Sequence, residues 1–316
     1  MIILLGARKK YDSLYLYLKE HKIDFKVFEA EPNNVNASSI ITDIEFIGYK
    51  NFFDPSFYYN NNVSKVVNFR DQKKWLELEN EISKHFDLPY IKQDTLNFYS
   101  YKSAQDIVCK KIGIPTIPNN NEKIIVKLDA GYSGGTDFKV IDRREYQSDE
   151  NKFIQNFIDI DYTLAIHFYA DMQGNTYPYC FHKITYEDNC PVQSITPVQD
   201  NETILLLEYL KKLKQEIHMQ DRLCFWQFVK DKQGNLYNMD FNCRPAGGFE
   251  NGSWDRDIAN HNMFDYYILG KTFPSQIKFT NSVELIYNSK REFGYTEYQR
   301  TKNPIEEITL SQEIKL

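Results

Sequence analysis

The sequence contains no apolar run near the roughly 20 residues that span a bilayer. Its opening Met1-Ile2-Ile3-Leu4-Leu5-Gly6 is apolar for only four residues after Met1. Neither a membrane helix nor a secretory leader is read from it. Positive charge is not in excess either: 38 Lys and Arg stand against 44 Asp and Glu, and the net charge is −6 with a pI near 5.6. That balance argues against a broad nucleic-acid or anionic-membrane surface, while a local basic pocket stays open. Cysteine is sparse. The five residues, at 109, 180, 190, 224 and 243, are odd in number and show no C-x-x-C pair or Cys/His spacing of a zinc site. They are expected as buried or free thiols in a reducing, cytoplasmic setting. Two nucleotide signatures are also missing: no G-x-G-x-x-G follows the first strand, and no Gly-Lys-Ser/Thr leads a loop into a helix.

What remains is ordinary for a globular chain of 316 residues, 42% hydrophobic and 26% charged, long enough for two or three lobes. Ile2 to Leu5, the Leu14-Leu16-Tyr17-Leu18 stretch and Ile23 to Phe28 read as β-α-β. A parallel sheet with crossover helices is the economical solution. Residues 29–68, rich in Asn, Asp and aromatics, read as loops between short strands, and Gln72 to Phe86 as a helix with Trp75, Leu78, Ile82 and Phe86 on one face. No catalytic constellation is visible there, so scaffolding or substrate contact is the expected role.

The chemistry gathers further on. A helix opening at Ser100-Tyr101-Lys102 closes at Gly113-Ile114-Pro115. A lysine in a first helical turn opposes the macrodipole and becomes sensible beside an anion. Strand Lys123 to Leu128 carries a second lysine, Lys127, into Asp129-Ala130-Gly131-Tyr132-Ser133-Gly134-Gly135-Thr136, whose glycines permit the close backbone approach a phosphate needs; a return strand follows. Later, Asn238 to Cys243 alternates: Asp240, Asn242 and Arg244 share one face, Met239, Phe241 and Cys243 the other. The polar face offers oxygen donors for a hard cation and a fixed positive charge for a phosphate. Alone, each signal is also what a solvated helix end or strand face shows.

In this order and together, these stretches resemble the ATP-grasp superfamily, over roughly residues 96 to 270. D-alanine:D-alanine ligase, biotin carboxylase and the carbamoyl-phosphate synthetase domains are among its members. The resemblance implies an α+β fold, two α+β lobes clasping ATP, preceded by an α/β lobe with a parallel sheet. The expected division is 1–95 for that preceding lobe, 96–160 for the small lobe with the glycine loop, and 161–316 for the large lobe. It further implies that Lys102, Lys127 and the loop Gly131, Tyr132, Ser133, Gly134 and Gly135 hold phosphates, with Lys183 as a third basic residue. Adenine would lie along Gln155, Asn156, Phe157 and Ile158, with Asp161 on the ribose. Gln227, Asp240 and Asn242 would hold one or two Mg²⁺ ions, or Mn²⁺, with Gln227 opposite Asp240 across a hairpin. Arg244 would stabilise charge during transfer.

This sequence departs from the family pattern at the metal strands. Asp240 stands where the family usually has Glu, and Gln227 is similar to the carbamoyl-phosphate synthetases, leaving one formal carboxylate. The implied activity is ligation: a carboxylate activated as an acyl phosphate, then joined to an amine. The alternatives are a non-catalytic nucleotide-binding module and a carbamate-forming or phosphoryl-transfer enzyme. Expected partners are a small-molecule carboxylate and amine, such as amino acids or peptides, with a possible homodimer, no nucleic acid and no membrane. His167 and His182 read as packed strand histidines. Thr203 to His218 reads as a helix burying Ile204, Leu207, Leu210, Leu213 and Ile217. Residues 249–257 read as the substrate side of the cleft, Ile258 to Leu269 as a helix, and the tail as short strand pieces.

Overall fold

A computed structural model describes residues 1–7, 11–30, 38–70, 72–130, 138–188, 190–245, 262–287 and 298–311. The expected β-α-β start is present. Strands β1 (Ile2–Leu5), β2 (Phe25–Glu29), β3 (Ile44–Phe46) and β4 (Lys65–Val67) form a parallel sheet ordered β3-β2-β1-β4. Helices α1 (Asp12–Glu20), α2 (Gly48–Phe52) and α3 (Lys73–His85) accompany it. All four β1 residues are buried, as a strand covered on both faces requires. The Tyr11 hydroxyl donates to the Leu5 carbonyl at 2.7 Å and accepts from the Phe69 amide at 2.7 Å, which ties the ends of β1 and β4 together.

Two helices follow where the sequence suggested one. α4 (Gln93–Ser100) and α5 (Lys102–Lys111) are separated at Tyr101, whose extended backbone forms an isolated bridge to Ala130. Gly113, at φ +70, closes α5 as expected, and the Ile114 amide returns to the Cys109 carbonyl at 2.8 Å. Strands β5 (Lys123–Leu128), β6 (Phe138–Asp142) and β7 (Lys152–Asn156) then form an antiparallel sheet ordered β6-β5-β7.

The third sheet has seven antiparallel strands: β8 (Ile160–Ala170), β9 (Thr176–Glu187), β10 (Cys190–Thr196), β11 (Arg222–Asp231), β12 (Leu236–Asn242), β13 (Gln276–Tyr287) and β14 (Tyr298–Ser311). Their order is β12-β11-β8-β9-β10-β13-β14. Helix α6 (Asn201–Glu216) joins β10 to β11, and α7 (Met263–Tyr267) precedes β13. Side chains alternate between two cores. Leu164, Ile166, Phe168, Trp226, Phe228 and Phe241 share one with residues of α4, α5 and α6. Ala165, Tyr169, Leu223 and Phe225 share the other with α7 and the parallel-sheet lobe.

Several expectations need correcting. α6 buries Thr203, Leu206, Leu207, Leu210 and Leu213, while Ile204 is 58% exposed. The stripe is set by the cap: Asp200 accepts from the Glu202 and Thr203 amides at 3.0 Å, which fixes the helix phase. The tail, expected as short strand pieces, is two long paired strands, β13 and β14, with a register shift between Phe279 and Asn281. The stretch 249–257 and the start of the helix expected from Ile258 lie outside the described residues. Among the described residues no helix is long and apolar enough to cross a membrane.

Beside this shared core, charge pairs link the parallel-sheet lobe to the large sheet. Arg222 at the start of β11 pairs with Glu79 of α3, both buried, and Lys65 pairs with Asp221 at 2.5 Å. The Tyr17 hydroxyl donates to Asp265 of α7 at 2.6 Å.

Candidate active site

The alternation read in Asn238 to Cys243 is realised at the β11–β12 hairpin. Gln227 pairs with Asp240 and Phe225 with Asn242. Directly paired antiparallel residues share a face, so Gln227, Asp240 and Asn242 project together. The Asn242 Nδ2 donates to Asp240 Oδ2 at 3.2 Å, which leaves the amide oxygen to point elsewhere. On the opposite face Phe241 is buried and stacks on Tyr99, with ring centroids 5.6 Å apart. Arg244, just past β12, is half-buried and donates from Nη1 to the Pro245 carbonyl at 3.0 Å.

Helix α5 is pinned to this strand and to the strand of Lys127. The Gln105 carboxamide donates to the Phe241 carbonyl at 3.0 Å and accepts from the Phe241 amide at 3.1 Å. At the helix start, the Lys102 amide donates to the Asp129 carbonyl at 3.1 Å. The Asp129 carboxylate accepts from the Ser103 amide at 2.7 Å and its hydroxyl at 2.5 Å. An acid borrowed from the end of β5 thus serves the amide-rich helix end, which has no acidic residue in its own first turn.

These contacts bring the charges together. Lys127 is held down to about 8 by burial, opposed by the attraction of Asp240 and reinforced by the repulsion of Lys102. Its strand partners are Phe138 and Phe153, and two residues along, Ile125 faces Gln155, so Lys127 and buried Gln155 lie on one face of the small sheet. Lys102 and Asp240 thus both act on the Lys127 amine through space, and two amines against one carboxylate favour an incoming polyanion.

The other expected contacts divide. Asn156 is buried with its side chain spent on the 119–121 turn: Nδ2 donates to Asn120 at 3.0 Å, and Oδ1 accepts from the Asn121 amide at 2.8 Å. The amides of Asn156 and Phe157 are committed to the Pro118 and Lys123 carbonyls at 2.6 and 3.0 Å. A base lying along this segment is therefore left with carbonyls and the amide of Ile158. Asp161 is exposed and has no register partner on β11, lying in the register shift between Ile160, paired with Asp231, and Tyr162, paired with Lys230. Lys183 is not drawn in. It pairs with Leu164, which pairs with Phe228, so it lies on the face opposite Gln227, with its amine 3.6 Å from the centre of the Tyr162 ring. Gly131, Tyr132, Ser133, Gly134 and Gly135 lie outside the described residues.

His167 and His182 are packed, as read, but on the metal-ligand face and against each other, Nε2 to Nδ1 at 2.6 Å. Burial pushes both below the usual imidazole range, so both are neutral at pH 7. Sequence reasoning passed over Gln105, Ser103 and Asp129, which position the lysines. Only Asp129, beside the glycine loop, carried any signal. The buried Thr163 hydroxyl, which has no hydrogen-bond partner, was also missed.

The donor set fits a hard cation weakly held by protein alone. Among the described residues no group of three His, Cys, Asp and Glu could hold a metal. Asp240, Gln227 and Asn242 offer oxygen only, which suits Mg²⁺, an ion that takes its remaining ligands from water and phosphate.

No family profile and no curated protein matches the chain. Solved structures do. N5-carboxyaminoimidazole synthetase from Staphylococcus aureus, complexed with ADP, superposes with a TM-score of 0.61 at 12% identity, covering 99% of this chain and 93% of that one. An L-amino acid ligase from Bacillus licheniformis gives 0.67 at 13% identity, over 92% and 80%. The biotin carboxylase domain of 2-oxoglutarate carboxylase from Hydrogenobacter thermophilus, solved with MgADP, ADP and bicarbonate, gives 0.71 at 12% identity, over 90% and 74%. At such identities the likeness is one of fold.

Proposed function

Because the chain has the ATP-grasp fold, we propose that it is an ATP- and Mg²⁺-dependent ligase that activates a carboxylate and joins it to an amine. The observation that carries this is the convergence of Lys102, Lys127 and Asp240, from three separate segments, on one half-buried spot. The neighbours bound to ADP and MgADP, and the L-amino acid ligase among them, support the nucleotide and an amino-acid-like substrate. We divide the chain accordingly into lobes at 1–95, 96–160 and 161–316.

Lys102 and Lys127 neutralise the nucleotide phosphates, and their mutual repulsion is relieved when those charges arrive. Gln155 and the Ile158 amide would border the base, and Asp161 would accept from the ribose hydroxyls. Gln227, Asp240 and Asn242 would hold Mg²⁺, which supplies charge neutralisation on the transferring phosphoryl group when bound. The substrate carboxylate attacks the γ-phosphate, forming a C–O–P bond as ADP leaves. The amine then displaces inorganic phosphate, giving the amide. Arg244, beside the polar row, offsets the charge that builds during the transfer. No covalent nucleophile is required, since positioning and electrostatics carry the rate.

The single carboxylate of the donor set favours a second reading, a nucleotide-binding module without turnover. Incubation with ATP, Mg²⁺ and pools of amino acids separates the two: a ligase releases ADP and phosphate only with the right pair present, and mass spectrometry finds the amide. Nucleotide binding with no substrate-stimulated hydrolysis would leave the module. Asp240→Ala is expected to abolish turnover with the circular-dichroism spectrum unchanged, and retained activity would refute its role.

A further inference from the structure

The parallel sheet carries a second cationic feature that the nucleotide site does not use. Its strand order reverses between β1 and β4, and in open α/β sheets the crevice beyond the strand C-termini at such a reversal is where ligands sit. Arg70 stands there, three residues past β4. Its Nε and Nη2 are both buried and have no hydrogen-bond partner. These two atoms form the side-on edge of a guanidinium. Elsewhere in this molecule the same edge of Arg144 grips the Asp142 carboxylate, at 3.0 Å from Nε and 2.9 Å from Nη2.

The edge of Arg70 is held in place for something else. Asn68 Oδ1 accepts from the Arg70 amide at 2.9 Å, and Asn68 Nδ2 donates to the Arg70 carbonyl at 3.1 Å. The guanidinium carbon lies 4.7 Å from the centre of the Trp75 ring, itself wedged against Phe52 and Phe53. The buried acids nearby are committed. Glu29 accepts from the Ala7 and Ala30 amides at 3.0 and 2.8 Å, and Glu79 is taken by Arg222 and Asn68. A buried guanidinium edge without an acceptor has given up its hydration for nothing in return, an imbalance that a bound oxyanion would reverse. The start of α3 leads toward the nucleotide site: the Lys73 amine lies 5.5 Å from the centre of the Tyr101 ring, and Tyr101 immediately precedes Lys102.

We propose that the Nε/Nη2 edge of Arg70 binds a carboxylate or phosphate group of the co-substrate, a reading that rests on the ligase function above for what the anion belongs to. The co-substrate then carries an anionic group distinct from the carboxylate that is activated, or on the amine partner.

The full chain is titrated with succinate and, separately, inorganic phosphate, without nucleotide. Tryptophan emission and melting temperature are followed in wild type, Arg70→Met and Arg70→Lys, and Mg·ADP binding is measured by calorimetry in each. Saturable responses are expected in wild type, absent in Arg70→Met and at least about tenfold weaker in Arg70→Lys, which keeps the charge and loses the fork. The stronger probe identifies the group. Mg·ADP affinity should be unaltered by either substitution. Equal anion responses in wild type and Arg70→Lys, or no saturable response to either probe in wild type, overturn the assignment even if Arg70→Met fails to fold. Loss of Mg·ADP binding in wild type sinks the ligase reading separately, with the anion result still standing on its own.

Discussion

Lys127 shows how a binding site taxes the fold that holds it. Its amine titrates near 8 against an ordinary 10.5, mainly because it is buried. Below pH 8 folded and unfolded chains both carry the proton, and the folded state bears the whole penalty. Between pH 8 and 10.5 the folded form is neutral first, and the penalty fades. Lys127→Met is therefore expected to abolish turnover yet stabilise the free protein by about 1–3 kcal/mol at pH 7. The gain should vanish above about pH 10.5 in thermal unfolding. Phosphates beside the amine draw its proton back, so nucleotide affinity is constant below pH 8 and falls as pH rises through it. Calorimetry at pH 9 in buffers of different ionisation enthalpy should show proton uptake, and none at pH 6.5. The lysine itself was legible in the sequence as an Ile-Val-Lys strand before glycines. Its burial was not, and the company of Lys102 and Asp240, 25 and 113 positions away, followed only from the family resemblance and from no local pattern.

At the scale of elements, the site depends on how α5 is seated. In α5 the apolar Ile107 is 65% exposed, while Gln105 is 4% exposed. The polar residue faces inward because its carboxamide meets both backbone groups of Phe241. Apolar periodicity cannot reveal an inward amide whose partner is a backbone 136 residues on. The β11–β12 pairing was legible, since a hairpin turn fixes register locally and Gln227 falls opposite Asp240 as counted. Gln105→Leu is expected to cost about 2–3 kcal/mol by leaving the Phe241 amide and carbonyl unpaired. It should lower the urea midpoint and raise the KM for ATP together. A variant with normal stability and normal KM would show that α5 is seated by its apolar contacts alone.

Where the parallel-sheet lobe meets the large sheet, a buried ion pair accompanies the shared apolar core. Glu79 and Arg222 are 7% and 8% exposed at the side chain, and their partnership joins residues 143 apart. The sequence marked α3 and β11 as elements but gave no reason to pair their charges. Breaking such a pair is costlier than removing it, because one buried ion is left alone. Arg222→Met should destabilise by about 3–5 kcal/mol, and Glu79→Leu combined with Arg222→Met should recover much of that. Chemical denaturation of the two variants checks it. If the double variant is no better than the single one, the pair holds the lobes by geometry and not by mutual neutralisation.

Strand β12 lies at the rim of the seven-stranded sheet, where open backbone groups would invite another chain to dock. Gln105 occupies Phe241, and the Asn238 amide is taken by the Pro115 carbonyl at 2.7 Å. The strand bearing Asp240 is thus sealed against self-association by the same contacts that orient it. Loosening α5 would uncover those backbone groups as a template for intermolecular pairing, on the very strand that carries the chemistry.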